Sequence, residues 1–235
     1  MYTSRLIGVG RFQGNPIASF TLASRSIPYR RLGIDPKGTK INVFPLEGYG
    51  DAGGNENPEV DNYACLKTGH VKDIDADYIV AFNGHMTKRV TQKLDANMRP
   101  DYALHMVLGD FFGMPSDARI GGCAYRKEDV SAYIGVNDSD QGHMYVKSYP
   151  DNSIKNLENM LLYVFDKDTS APKTFALDTR IEDPTELAEY IHNNIIGEEI
   201  KYGLGTGVAY MNGDFKLGVY NTPDLVDKIE GWNGG

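Results

Sequence analysis

The sequence has no hydrophobic run near the roughly 20 residues that a membrane-spanning helix needs. Its longest apolar stretches, residues 78–82 and 160–165, are only strand-length. The opening Met-Tyr-Thr-Ser-Arg-Leu-Ile-Gly lacks the apolar core of a secretory leader. Cysteine is scarce: Cys65 and Cys123 stand 58 positions apart, and reduced thiols in a cytoplasmic protein are expected rather than a disulfide framework. There is no phosphate-binding G-x-x-x-x-G-K-[ST] loop and no G-x-S-x-G nucleophile elbow. The five histidines, His70, His85, His105, His143 and His192, show no short metal-ligand spacing, so a structural zinc site is not expected. One further absence is local. Residues 1–34 contain no lysine, aspartate or glutamate.

What those 34 residues do contain is Arg5, Arg11, Arg25, Arg30 and Arg31, a charge of +5. The rest of the chain holds 19 basic and 32 acidic residues, so the formal net charge is −8. An acidic total argues against general nucleic-acid binding. An arginine-only segment in an acidic chain suits a small anion, because guanidinium grips phosphate or carboxylate in a planar fork. Five solvated surface arginines would give the same count. With 235 residues, 41% hydrophobic and 24% charged, the chain is long enough to bury a core without staples, and a single domain over 1–235 is expected. Glycine, at 26 residues, has no G-X-Y period and marks turns.

Alternating patterns predict strands over residues 6–10, 17–22, 41–46, 63–67, 78–82, 118–125, 132–136, 143–148, 160–165 and 174–177. A glycine-rich stretch, 47–58, reads as a loop. Helices are predicted over 87–96 and 100–112, the second opened by Pro100 and apolar nearly all round, hence well buried, with His105 as a core histidine. Asp183-Pro184-Thr185-Glu186 is a strong start for a helix to about residue 193: Asp as N-cap, Pro next, Glu at N3. His192, near that helix's end, suits the helix dipole. Asn212-Gly213 predicts a type I′ hairpin between 208–211 and 215–220, with Phe215, Leu217 and Val219 on one face. The tail, 231–235, reads as loosely ordered. Strands, two helices, more strands and a final helix do not alternate as a parallel βαβ protein does. The order predicts an α+β fold of stacked sheets with helices outside. Gly8-x-Gly10-x-x-x-Gly14 imitates a dinucleotide fingerprint, but its last glycine is one residue late and a strand follows where a helix should open.

Three stretches are specific in combination: Ser4-Arg5-Leu6-Ile7-Gly8-Val9-Gly10-Arg11 with Ala23-Ser24-Arg25-Ser26-Ile27-Pro28-Tyr29-Arg30; Asn57-Pro58, then Tyr63-Ala64-Cys65 and Phe82-Asn83-Gly84-His85; and Ala118-Arg119-Ile120-Gly121-Gly122. In this order and spacing the chain resembles the archaeal-type IMP cyclohydrolases, most closely over its first 125 residues. The resemblance implies a four-layer αββα sandwich of stacked antiparallel sheets like that of the N-terminal-nucleophile hydrolases. It implies ring closure of 5-formamidoimidazole-4-carboxamide ribonucleotide (FAICAR) to inosine monophosphate (IMP), with loss of water, in purine biosynthesis. The implied partner is a small purine nucleotide, with homo-oligomeric association, no nucleic acid, no membrane and no cofactor.

By that resemblance Arg30 and Tyr63 act at the reacting oxygens, Arg25 and Arg119 bind the nucleotide, and Asn83 and Gly84 present polar groups beside the base. A carboxylate is expected just beyond Asp110, where Phe111 and Phe112 stand instead, which leaves either Asp110 itself or a carboxylate from elsewhere in the chain as the catalytic acid or base. Two other readings stay open. One is a true N-terminal-nucleophile amidohydrolase, which Tyr2 disfavours because the bulky residue would leave Met1 in place. The other is a nucleotide-binding homologue that has lost catalysis.

Overall fold

Residues 6–23 fold as the hairpin that their alternation dictates. β1 (Leu6–Phe12) and β2 (Asn15–Ala23) pair antiparallel from Leu6 opposite Thr21 to Phe12 opposite Asn15. The turn is Gln13-Gly14, both with positive φ, at 51° and 77°. The computed structural model describes residues 5–23, 30–45, 63–82, 86–110, 119–126, 132–138, 143–149, 158–165, 172–196 and 203–223. The predicted 47–58 loop and the 231–235 tail lie outside them.

The remaining strands are β3 (Arg30–Ile34), β4 (Lys40–Pro45), β5 (Tyr63–Val71), β6 (Ala76–Phe82), β7 (Arg119–Arg126), β8 (Ala132–Asp138), β9 (His143–Tyr149), β10 (Met160–Phe165), β11 (Lys173–Ala176), β12 (Gly203–Asn212) and β13 (Asp214–Asn221). Among the described residues three α-helices accompany them: α1 (Met86–Asp95), α2 (Pro100–Gly109) and α3 (Pro184–Ile191), the last continued by a π-helical turn over His192–Ile196. The described fold is mixed α and β with antiparallel pairing throughout the assigned ladders.

Two sheets form. One has the order β11-β10-β1-β2-β12-β13, and the other runs β3 through β9 in sequence order. Their inner faces meet in one apolar cluster, with Ile7, Val9, Phe20 and Leu22 from the first against Leu32, Val43, Tyr63 and Ile79 from the second. Gly207 permits that approach: a Cβ there would stand 2.9 Å from Ile41 Cδ1. The outer face of the six-stranded sheet packs Phe12, Ile17 and Tyr210 under Leu187, Ala188 and Ile191 of α3. A Cβ at Gly218 would strike the Pro184 carbonyl, so glycine lets α3 begin directly on β13. The outer face of the seven-stranded sheet packs Tyr78, Val80 and Phe82 under Val90 and Leu94 of α1 and Leu104, Val107 and Leu108 of α2.

The α3 start is as predicted, with the Asp183 carboxylate accepting from the Thr185 and Glu186 amides at 2.7 and 3.0 Å. Several expectations need correction. β3 was not predicted, since Arg30-Arg31-Leu32-Gly33-Ile34 hides its alternation behind charge and glycine. It is an edge strand, and Asn221 mimics a neighbouring strand: its Oδ1 accepts from the Leu32 amide at 2.8 Å and its Nδ2 donates to the Leu32 carbonyl at 2.9 Å. At the Asn212-Gly213 turn only Gly213 has positive φ, so the two-residue type I′ geometry belongs to Gln13-Gly14 instead. Helix α2 is not buried all round: Tyr102 and Met106 are 61% and 47% exposed, and His105 is exposed too. The helix has a sheet on one side only. On its exposed side the Arg99 guanidinium lies 5.8 Å from the centre of the Tyr102 ring, and Lys93 Nζ lies 3.9 Å from Met106 Sδ.

Candidate active site

In the seven-stranded sheet, strand direction and register carry chosen residues to one end. β3 begins at Arg30 opposite Pro45, the last residue of β4. Val43 lies opposite Tyr63, the first residue of β5, and opposite Leu32 on its other side. β6 ends at Phe82 opposite Gly122, three residues beyond the Arg119 that opens β7.

Leu32, Val43 and Tyr63 belong to the cluster between the sheets, and Arg30 shares a face with Leu32 by the two-residue period of a strand. Arg30 is 3% exposed and Tyr63 6%, and Arg30 Nε and the Tyr63 hydroxyl are both shielded from solvent. A permanent cation and a phenol are thus brought to the same end of the gap between the sheets, within an otherwise apolar wall. Charged side chains are rarely buried to this degree without a specific use. Arg31, next in sequence, points the other way and is exposed.

Cys65 lies two residues along β5 from Tyr63. It is fully buried and free, and its thiol donates to the Ile41 carbonyl at 3.3 Å. Burial pushes the thiol's pKa well above its usual range, although the nearby Arg5 charge pulls it down. Cys65 is therefore inert lining, and the effect of Arg5 on it places that arginine near the same wall. Arg5 immediately precedes β1 and by strand period shares the inward face of Ile7 and Val9.

Asp110 is elsewhere. It caps the C-terminus of α2, about half exposed, and accepts an ion pair from Arg89 Nη2 at 2.8 Å. It reaches the same end of the sheet as Arg30 and Tyr63, but in the helix layer on the opposite face. Arg25, Asn83 and Gly84 lie outside the described residues; the strands before them, β2 and β6, end at Ala23 and Phe82. Of Arg119 only the backbone position is described. Among the described residues no group of three or more His, Cys, Asp or Glu side chains is placed to hold a metal ion. No described helix is long and apolar enough to cross a membrane.

Comparison with known proteins settles the family. The family described as IMP cyclohydrolase-like protein matches residues 2–202. The chain belongs to this IMP cyclohydrolase-like family. Within it, the IMP cyclohydrolase of Methanosphaera stadtmanae is 26% identical over 227 residues, 94% of this chain and all of that protein. Among solved structures, Anbu (ancestral beta-subunit) from Yersinia bercovieri aligns over 98% of this chain and 93% of its own, with 8% identity and a TM-score of 0.37. A likeness at that level carries no argument. The matched span includes Arg5, Arg30, Tyr63 and Arg119.

The buried polar chain on the outer face of the six-stranded sheet was missed in the sequence. His192 is 6% exposed, its Nδ1 lies 3.0 Å from Thr206 Oγ1 and its Nε2 3.2 Å from Thr222 Oγ1, while Thr206 and Thr21 hydroxyls pair at 2.9 Å. His192 is the C-cap residue of α3, and its ring is in addition a buried hydrogen-bonding tie between the end of α3 and strands β2 and β12. No local signal marks it, because its partners Thr206 and Thr222 lie 14 and 30 residues away and Thr21, which pairs with Thr206, lies near the other end of the chain.

Proposed function

We propose that this chain is an IMP cyclohydrolase, closing FAICAR to IMP with release of water in purine biosynthesis. The observation that carries the reading is the convergence of Arg30 and Tyr63 on the inner sheet face. Membership of the family and the Methanosphaera stadtmanae relative's name support it. The packing of α3 on one sheet and of α1 and α2 on the other supports a four-layer αββα arrangement of the N-terminal-nucleophile-hydrolase type, acting as a single domain.

The chemistry explains the residue types. The carboxamide nitrogen attacks the formyl carbon of the same molecule, and the new C–N bond closes the ring. An amide nitrogen is a weak nucleophile, so holding the two arms in contact supplies much of the acceleration. The formyl oxygen becomes an oxyanion and then leaves as water, its two added protons balancing one lost by the carboxamide nitrogen as it attacks and one lost by the formamide nitrogen as the C=N bond forms. Arg30 stabilises that oxygen as charge develops, in a walled site where fixed donors are most effective. The Tyr63 hydroxyl donates to the same centre and supplies the proton that makes it a leaving group. Arg25 and Arg119 bind the nucleotide, and Asn83 and Gly84 flank the base. Asp110, held by Arg89 across the sheet from the gap, acts at most by fixing the start of α1.

Ultraviolet monitoring of purine formation from synthetic FAICAR with the purified protein tests this directly. Turnover is expected. IMP binding without ring closure would instead identify a silent homologue.

A further inference from the structure

We infer that Arg5 is a ligand-binding residue of this site and holds the nucleotide's 5′-phosphate from the sheet facing Arg30; the inference rests on reading the ligand as a nucleoside monophosphate. Arg5 precedes β1 in the six-stranded sheet, whereas Arg30 and Tyr63 belong to the seven-stranded one. Its Nε is shielded from solvent, and its charge is felt at Cys65, two residues from Tyr63. Register fixes its place: with Leu6 opposite Thr21, Arg5 falls beside Leu22, which lies opposite Gly205. Gly205 in turn lies opposite Asn221, the residue that ties Leu32 and hence β3 to this sheet. Arg5 and Arg30 are thus delivered by facing sheets to the same end of one gap.

The charge of the ligand separates their tasks. The formamide and carboxamide arms are neutral until reaction begins, so one donor pair, Arg30 and Tyr63, suffices there. The monoester carries about −1.5 to −2 at neutral pH. It is the permanent anion of the molecule and calls for a permanent cation of its own. Guanidinium, with its planar fork, suits phosphate oxygens and cannot be neutralised by burial. A second cation on the sheet opposite the reacting centre lets the nucleotide bridge the gap, phosphate to one wall and base to the other.

The test splits the ligand in two. Arg5→Gln and Arg5→Lys are titrated calorimetrically with IMP, with ribose 5-phosphate and with inosine, beside wild type. Arg5→Gln is expected to weaken IMP and ribose 5-phosphate about 10- to 100-fold, the scale of one charge-assisted contact, and to change inosine by less than about twofold. Arg5→Lys keeps the charge without the fork and is expected to lose about three- to tenfold on IMP alone. Unchanged IMP affinity, or equal losses of IMP and inosine, would overturn the assignment. If Arg5→Gln does not fold, the IMP-to-inosine ratio in Arg5→Lys decides: a wild-type ratio overturns it. Wild-type turnover is read separately. A chain that binds IMP without closing the ring defeats the activity reading while these titrations still decide Arg5, and a wild type that binds neither IMP nor ribose 5-phosphate defeats both.

Discussion

The two ends of the seven-stranded sheet are made by the same strands and carry polar groups of opposite character. At one end Arg30 and Tyr63 are almost wholly buried between the sheets. At the other, where β5 turns into β6, His70 lies 3.0 Å from Asp77 and 3.5 Å from Asp75, with side-chain exposures of 44% for His70 and 98% for Asp75. A histidine and three aspartates fall within eight residues there, 70–77. Exposed pairs of this kind contribute little, because water already solvates both partners. A guanidinium held against an apolar wall is the more informative feature, since its desolvation must be offset by something the fold or a ligand provides.

Substitutions at the buried end test that contrast most strongly. Arg30→Ala and Tyr63→Phe should each lower kcat/KM for ring closure by about ten- to a thousandfold, the range for losing one transition-state donor. Wild-type rates in both would remove them from the site. His192→Ala asks whether burial alone marks function. Losing a ring that joins Thr206 and Thr222 should cost about 1–3 kcal/mol in urea unfolding, with kcat unchanged where the variant is folded. A fall in kcat without a fall in stability would break the distinction between structural and functional burial.

The β3–β4 turn should show a smaller effect. Burial raises the Asp35 carboxyl, but the amides of Thr39, Lys40 and Lys37 outweigh it, so its pKa lies below the ordinary value. A depressed carboxyl contributes stability above its unfolded pKa, near 4, and loses that contribution as pH falls through its folded value. Asp35→Asn should therefore destabilise by about 0.5–2 kcal/mol at pH 7, with the gap to wild type narrowing in urea midpoints as pH falls below the ordinary carboxylate value of about 4. Least of all, Asp110→Asn should lower turnover by less than about fivefold, and His70→Ala should shift stability by no more than about 0.5 kcal/mol. A hundredfold loss in Asp110→Asn would return that carboxylate to the catalytic set.

Local pattern determined much of this protein. Alternation located β1, β2, β4 through β11 and the final hairpin to within a few residues, and Asp183-Pro184 announced α3, because side-chain period and capping are short-range effects. The spacing of Arg30 and Tyr63 within specific strings pointed to the ligand class. Only the tertiary structure decided which arginine is buried. Arg30 and Arg31 are chemically identical neighbours, yet the two-residue period buries one and exposes the other, and the register that sets this comes from β4. It also decided that β1 and β2 sit between β10 and β12, so that Thr21 pairs with Thr206 beside His192 and joins strands from both ends of the chain. Such pairings depend on which sheet faces bury together, a property of the assembled core that no window of sequence contains.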